Sequence, residues 1–234
     1  MRIDWERDEI ILACELVRQN GWRPLDGNKP EVIQLSKILN LSPLHPMEHR
    51  DAKFRNPNGV GRKTSDIATR HPDYQGKPTN GSHLDSQVLA EFLAQPSLMS
   101  KIAAEIRAGI ERGDVPAPPA NDLDFADAEA LEGKLLLARH FRRERSPKLR
   151  KAKIASVLSK GELIACEVCT FDFETKYGAR GKDYIEVHHG LPLHVSGEVR
   201  TRLQDLHLLC SNCHRMIHRG KPWLTPGELR DLLP

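Results

Sequence analysis

Two Cys-x-x-Cys pairs constrain this chain more than any other feature of its sequence. Forty residues separate the pair Cys166 and Cys169 from the pair Cys210 and Cys213. Four thiolates at this spacing are typical of a tetrahedral Zn²⁺ site, and a small segment with few aromatic residues benefits from such a cross-link. Four protein ligands leave no open position, so we expect this zinc to be structural. The alternative is a set of four buried free thiols.

Cysteine usage and hydropathy limit the class of protein further. The fifth cysteine stands alone, which argues against a secreted disulfide scaffold. No stretch approaches the roughly 18 apolar residues needed to span a bilayer, and the first residues lack the apolar core of a signal peptide. Thirty-five Lys and Arg against 32 Asp and Glu give a net charge of +3, which neither requires nor excludes nucleic acid. We therefore expect a soluble, cytoplasmic protein with no membrane partner.

The first 112 residues have the pattern of a helical domain. Apolar residues recur at helical spacing over 3–19, and Pro30 begins a second helix. Prolines and glycines interrupt 43–82, which predicts surface loops with at most one short helix. Helical periodicity returns over 82–110, with a break at a proline. These patterns predict a helical N-terminal domain over 1–112.

The rest of the chain divides at a proline-rich stretch. Residues 113–121 are typical of a semi-rigid linker, and 122–160 form a basic helical connector to a C-terminal domain at 161–234. Between 139 and 160, nine basic residues are opposed by a single acid, Glu144. A solvated helix face is the ordinary interpretation of such a run, but its place before the cysteine pairs favours contact with phosphates.

Histidines are concentrated between and after the cysteine pairs, on predicted strands and a predicted helix. Five of them fall within 31 residues, which argues against a purely structural cluster. His214 and His218 are four residues apart on a helix that begins near residue 211, so both can share one cation. On a strand over 184–187 and beyond, His188 and His189 would point to opposite sides, leaving one free for another task. The fifth histidine, His207, lies on a second predicted strand at 206–209 and is interpreted as a bystander.

The combined order of these motifs resembles the HNH nuclease domain, the ββα-metal or His-Me finger fold, in its zinc-stabilised McrA-like branch. The resemblance covers about 160–220. It rests on Cys-x-x-Cys, Tyr-Ile-Glu-Val-His-His-x-x-Pro-Leu, Leu-Leu-Cys-x-x-Cys-His and a histidine four residues later. It implies an α+β, mainly α chain, in which a helical N-terminal domain and a Pro-rich linker precede a C-terminal ββα-metal HNH nuclease domain stabilised by a zinc ion that four cysteines hold.

The resemblance also implies roles for individual residues. The family's general base falls on His189, and its catalytic divalent cation, Mg²⁺, Mn²⁺, Ni²⁺ or Zn²⁺, falls to His188, His214 and His218. Asp205 stands where the family has an asparagine that orients the base. The implied activity is metal-dependent hydrolysis of phosphodiester bonds in DNA by attack of water. Beside this site, Glu186 either supports a ligand or is simply exposed.

A nuclease inside a cell needs a targeting domain, an inhibitor or restricted expression, and the first domain is the candidate for DNA recognition. By analogy with McrA-like enzymes, we expect it to recognise double-stranded DNA carrying a methylated base or a phosphorothioate linkage. The alternative is a helical packing or dimerisation domain whose basic loop is solvated. Amide side chains suit base edges and cations suit phosphates, and on this basis the predicted DNA-contacting residues are Arg55, Asn56, Asn58, Arg62, Lys63, Arg142, Arg143 and Arg215.

These observations predict a DNA endonuclease of restriction or defence type that acts on modified DNA. Cutting both strands with one active centre per chain would favour a homodimer. Two alternatives stay open: a zinc-stabilised DNA-binding module without catalysis, and an HNH nuclease of a mobile element or phage, which would differ only in what the first domain recognises.

Overall fold

The computed structural model of the chain describes residues 3–118, 133–190, 202–219 and 223–234, apart from the side chain of Arg143. The chain forms two compact units. The first comprises Met1–Pro118 with Glu132–Leu136, and the second Pro119–Leu131 with Leu137–Pro234. The end of the predicted linker, 119–121, and the start of the predicted connector, 122–132, lie outside the described residues.

The first unit is helical, as the sequence predicts. Its central helix is α1, which packs against the other four and buries Ile10, Ile11, Cys14 and Val17 completely. Capping agrees with the sequence signals: the helix beginning at His83 has a capping box from Ser82, and three helices begin with proline. The five helices are α1 (Arg7–Gln19), α2 (Pro30–Leu41), α3 (Pro57–Ala68), α4 (His83–Ala94) and α5 (Pro96–Arg112).

Helix α3 corrects the prediction of loops with at most one short helix over 43–82. It is 12 residues long and begins at Pro57, with the Asn56 side chain accepting a hydrogen bond from the backbone of Gly59. Its buried face includes Val60 and Ile67 but also several polar residues. Polar side chains therefore occupy buried positions, where they are hydrogen-bonded inside the protein. As a result the sequence of this helix lacks the apolar periodicity by which a buried face is predicted.

The second unit contains a two-stranded sheet followed by a helix. Strands β1 (Glu186–His189) and β2 (Leu206–Leu209) pair antiparallel, with His188 opposite His207. The second strand is as predicted, whereas β1 starts two residues later than predicted because Asp183 adopts a φ of 54° and the chain turns there. Helix α6 (Lys134–Glu144) contributes residues 137–144 to this unit. The other described helices of the unit are α7 (Pro147–Leu158), α8 (Phe173–Tyr177), α9 (Ser211–His218) and α10 (Pro226–Asp231).

Helix α7 covers one face of this hairpin. Ile154 and Val157 pack against Val187 and Leu208, within a small cluster of buried apolar side chains. The Arg150 guanidinium donates to two carbonyl oxygens at the start of β1, at 2.7 Å each. Part of the basic run therefore holds the hairpin in place. None of the described helices is long and apolar enough to cross a membrane.

Candidate metal and active site

The four cysteines predicted to bind zinc lie together in the second unit. Their sulfur atoms are all within 4.8 Å of one another, and those of Cys169 and Cys210 are 3.6 Å apart. Zinc–sulfur bonds of about 2.3 Å at tetrahedral angles would separate two sulfur atoms by about 3.8 Å. None of the four forms a disulfide. The cluster has the composition and the spacing of a zinc site.

A tight turn and a helix start build this cluster. The N–H of Cys166 donates to the carbonyl of Phe171, and the N–H of Thr170 donates back to the carbonyl of Cys166. The Cys210 sulfur accepts the N–H of Cys213 and so caps α9. Burial raises the pKa of the Cys213 thiol, so a metal ion binding there has to displace its proton.

The structure brings the three histidines predicted to hold the catalytic cation into one cluster. His188 comes from β1, while His214 and His218 lie one turn apart on α9. The ring centroids are 5.5 Å apart for His188 and His214, 5.0 Å apart for His188 and His218, and 5.1 Å apart for His214 and His218. We call these three side chains the histidine cluster.

A carboxylate from α6 lies at the centre of the histidine cluster. Oε1 of Glu144 is 2.8 Å from Nδ1 of His188, and Oε2 is 3.1 Å from Nε2 of His214 and 3.3 Å from Nε2 of His218. His140, one turn earlier on the same helix, places its Nε2 3.1 Å from Oε1. The Glu144 side chain is 1% exposed, so its carboxylate contacts these imidazoles and almost no solvent.

Neither His140 nor Glu144 belongs to the site as the sequence predicts it. Both fall in the segment interpreted as a basic connector. Two signals were present: Glu144 is the only acid among nine basic residues, and a histidine and a glutamate four residues apart share one face of a helix. Neither signal indicates what the pair contacts, because their partners lie about 45 to 75 residues further along the chain.

The donor atoms of this centre fit a divalent cation. The Nε2 atoms of His140 and His218 and Nδ1 of His188 are fully buried and make no hydrogen bond with the described residues, although each lies within 3.3 Å of a Glu144 oxygen. Buried polar atoms in proteins are almost always hydrogen-bonded. These ring nitrogens converge on one carboxylate at angles that do not suit hydrogen bonds, which is the arrangement expected around a metal ion. Imidazole and carboxylate together are a common ligand set for divalent transition metals.

Glu186 connects the cluster to a second carboxylate. Its Oε2 lies 2.7 Å from Nδ1 of His214, and its other oxygen accepts a hydrogen bond from Ser211. This contact fixes the ring so that Nε2 faces Glu144, the arrangement by which carboxylates orient metal-binding histidines. Of the two interpretations of Glu186, support of a ligand matches its contacts.

The charges of the cluster follow from these contacts. Burial would lower the pKa of His214, but hydrogen bonds to Glu144 and Glu186 raise it to about 9. Burial lowers the pKa of His188 to about 4, despite its contact with Glu144. Burial would raise the pKa of Glu144, yet the surrounding imidazoles hold it well below the usual range. Near pH 7 and without a metal, these shifts leave Glu144 ionised, His214 protonated and His188 neutral.

His189 and Asp205, the predicted base and its orienting residue, lie beside the cluster. The backbone N–H of His189 donates to Oε1 of Glu144 at 3.0 Å, and its side chain is buried, with the residue 8% exposed. Asp205 accepts the N–H of Gly190 through its backbone carbonyl and the N–H of Arg202 through its carboxylate. It therefore joins the end of β1 to the start of β2. His207, the cross-strand partner of His188, pairs with Glu167, with 2.7 Å between Nδ1 and Oε2.

A basic cleft of about 720 Å³ opens beside the histidine cluster. Glu144, His214 and His218 form part of its wall, together with Tyr184. His189 is not among the described residues that line it. Of the arginines predicted to contact DNA from this unit, Arg215 lines the cleft, Arg142 is exposed and does not line it, and the Arg143 side chain lies outside the described residues. The arginines lining the cleft are Arg145, Arg150, Arg215 and Arg219.

Two of the cations predicted to contact DNA from the first unit are instead buried in ion pairs. Arg55 donates to both oxygens of Glu9 at 2.7 Å and is 7% exposed, and Lys63 lies 2.8 Å from Asp85 and is 6% exposed. The prediction for these two residues is corrected, because their charges neutralise buried carboxylates. A basic residue in the sequence does not indicate whether its partner is a phosphate or an acid of the same chain.

The other predicted contacts of the first unit differ among themselves. Asn56 is the N-cap of α3 and uses its side-chain oxygen for that bond. Asn58 and Arg62 are exposed on α3, and Arg62 lines a cleft of about 860 Å³ together with Trp5 and Lys53. These exposed groups remain available to a partner.

A hairpin followed by a helix, with histidines converging from both elements beside a cysteine cluster, defines the ββα-metal class of nuclease domain. Residues 166–220 match the family model of the HNH endonuclease. The chain therefore carries an HNH endonuclease domain, and the match contains all four clustered cysteines and the histidine cluster but not His140 or Glu144. Comparison with curated proteins and with solved structures gave no match.

Proposed function

We propose that the protein is a metal-dependent DNA endonuclease. The observation that carries the proposal is the convergence of the histidine cluster on one point beside a cleft lined by arginines, within the segment that matches the HNH endonuclease. Arginines suit a polyanionic strand because each guanidinium can donate two parallel hydrogen bonds to a phosphate. We further propose that the cysteine cluster binds structural zinc, and that the protein works in the cytoplasm, where free cysteines persist.

The roles proposed for the residues follow from their positions. His188, His214 and His218 would hold the catalytic divalent cation, which when bound neutralises charge on the scissile phosphate and on the departing 3′ oxygen. His189 would take a proton from the attacking water at Nε2, since neutral imidazole is a suitable base near pH 7. Asp205 would keep the turn after His189 in place through the bond from Gly190.

The test is cleavage of supercoiled plasmid in Mg²⁺, Mn²⁺ or Ni²⁺ by wild type, His189→Ala and His207→Gln. We expect wild type and His207→Gln to cut, and His189→Ala to lose about 100-fold or more in rate, because general bases contribute about 10² to 10⁴. His207→Gln is the matched control, since this histidine lies on the paired strand and faces Glu167. Equal rates for His189→Ala and wild type would remove the proposed base.

A second candidate is a DNA-binding module without catalysis. It is favoured by the burial of His189 and by its absence from the described lining of the cleft. Under this alternative, the protein would retard DNA in a gel shift and cut none of the substrates with any of the three metals. A nuclease of a mobile element or phage would give the same cleavage results as a restriction enzyme.

We propose that the first unit directs the nuclease to modified double-stranded DNA. The support is the pair of exposed cations Lys53 and Arg62, which line a cleft together with Trp5, and the exposed Asn58 on the same helix as Arg62. Passing one plasmid through hosts with different DNA modification systems and digesting each preparation tests this proposal. Cleavage confined to one modified preparation supports it, and equal cleavage of all preparations refutes it. Linear product formed in a single binding event would support action as a homodimer.

A further inference from the structure

We infer that Glu144 is itself a ligand of the catalytic cation. The cation site would then consist of three imidazoles and one carboxylate, and it would begin on α6, 22 residues before the segment that matches the HNH endonuclease. This inference rests on the proposed function, because it concerns the same site.

The first argument is distance. The Nε2 atoms of His214 and His218 lie 3.1 and 3.3 Å from Oε2 of Glu144, the oxygen that would bind the metal. Ligand atoms about 2.1 Å from a common metal ion are separated by about 3.0 Å at right angles and by about 3.4 Å at tetrahedral angles. The observed separations have the lengths of edges in a coordination polyhedron.

The second argument is bonding. A carboxylate that served only as a hydrogen-bond acceptor would be met along the N–H directions of the rings. Of the three cluster histidines, only His214 meets Glu144 with that geometry, while Nδ1 of His188 and Nε2 of His218 are fully buried and have no hydrogen-bond partner in the part of the chain that the structure describes. Such atoms are rare in folded proteins and are explained when a shared ion accepts their lone pairs.

The third argument concerns the oxygen that would not bind the metal. Oε1 of Glu144 accepts a hydrogen bond from the backbone N–H of His189 at 3.0 Å. This bond orients the carboxylate and leaves Oε2 facing the two helix histidines. Outer contacts of this kind orient ligands in metal sites, and their loss usually weakens metal affinity about 10- to 100-fold.

Four protein ligands have a consequence for the choice of metal. A tetrahedral ion would have no position left for water or phosphate, which is the arrangement of structural zinc sites. A six-coordinate ion keeps two positions open. Three imidazoles also favour transition metals over Mg²⁺. The site is therefore expected to work with Mn²⁺ or Ni²⁺ and to be blocked by tetrahedral Zn²⁺.

The test is Mn²⁺ binding to the full-length protein, measured by calorimetry with wild type, Glu144→Gln, Glu144→Asp and the control Glu174→Gln. Glu174 is an exposed glutamate of the same unit. We expect Glu144→Gln to weaken Mn²⁺ binding by about 100-fold or more and Glu144→Asp to retain part of it. Glu174→Gln is expected to bind as wild type does.

Thermal unfolding separates a ligand from a purely structural residue. For a ligand, Glu144→Gln reduces the rise in melting temperature that Mn²⁺ produces. For a structural residue, the variant melts earlier without metal but keeps the full rise, and this result overturns the inference, as does wild-type Mn²⁺ affinity in a folded Glu144→Gln. If Mn²⁺ binding depends on Glu144 but wild type cuts no DNA, the inference stands and the proposed function fails.

Discussion

Replacing Cys213 by serine should unfold the zinc-containing part of the second unit while the first unit stays folded. The substitution removes one of four sulfur atoms that lie within 4.8 Å of one another. Cys14→Ser is the matched control, because this cysteine is equally buried but lies in α1 of the first unit.

The expected size of the effect follows from the residues packed around the cysteines. Four apolar side chains are buried there, Val168, Leu209, Ile217 and Leu229. At about 1.5 to 3 kcal/mol each, they contribute about 6 to 12 kcal/mol before the entropy cost of ordering the chain is subtracted. Structural zinc contributes about 10 to 16 kcal/mol in small zinc domains. The metal is therefore the larger of the two contributions, and the apolar cluster alone cannot keep this segment folded.

The assay combines zinc analysis with calorimetric unfolding. Wild type is expected to show two transitions, of which a strong chelator removes one. Cys213→Ser should contain one zinc fewer per chain and lack the same transition without chelator, whereas Cys14→Ser should keep its zinc and change only the other transition. Wild-type zinc content and an unchanged pair of transitions in Cys213→Ser would refute the reasoning.

Three further predictions concern other parts of the molecule. Arg55→Met should cost about 3 to 5 kcal/mol by leaving the Glu9 carboxylate buried without its cation, whereas Arg62→Met should leave urea unfolding unchanged and weaken only DNA binding. Burial raises the pKa of Asp8 from 3.8 to about 6, so stability should fall by about 3 kcal/mol as pH rises from about 4 to about 6. Urea midpoints across this range should show that slope in wild type and a flat response in Asp8→Asn; a slope kept by the variant would assign it to another group. Glu186→Gln should weaken Mn²⁺ binding about 10- to 100-fold without loss of zinc, and unaltered affinity would remove its orienting role.

The sequence was sufficient for the parts of the site that depend on local spacing. Cys-x-x-Cys pairs and histidines four residues apart on a helix constrain geometry within a few residues, so the cysteine and histidine clusters could both be predicted. Helix α3 was missed because its buried face contains polar side chains such as Thr64, whose partners only the fold reveals.

The remaining errors share one physical cause. Glu144 and Arg55 are charged residues whose partners lie far along the chain, and charge alone does not distinguish a solvated side chain from a buried one. For Arg55 the partner is Glu9, 46 residues away, and for Glu144 the nearest cluster partner is His188, 44 residues away. Pairings of this length are set by tertiary packing, which a pattern of neighbouring residues does not encode.

Consecutive residues of α9 point to different centres: Cys213 faces the thiol group of four, and His214 faces Glu144. A rigid helix backbone thus ties the two centres at a fixed spacing. Oxidants that convert neighbouring thiols such as Cys169 and Cys210 into a disulfide would expel the metal ion proposed to bind there. The start of α9 would then lose its anchor, and His214 would move away from Glu144. Peroxide would then abolish the proposed DNA cleavage without modifying any residue proposed to take part in catalysis. A thiol reductant supplied together with zinc would restore the activity.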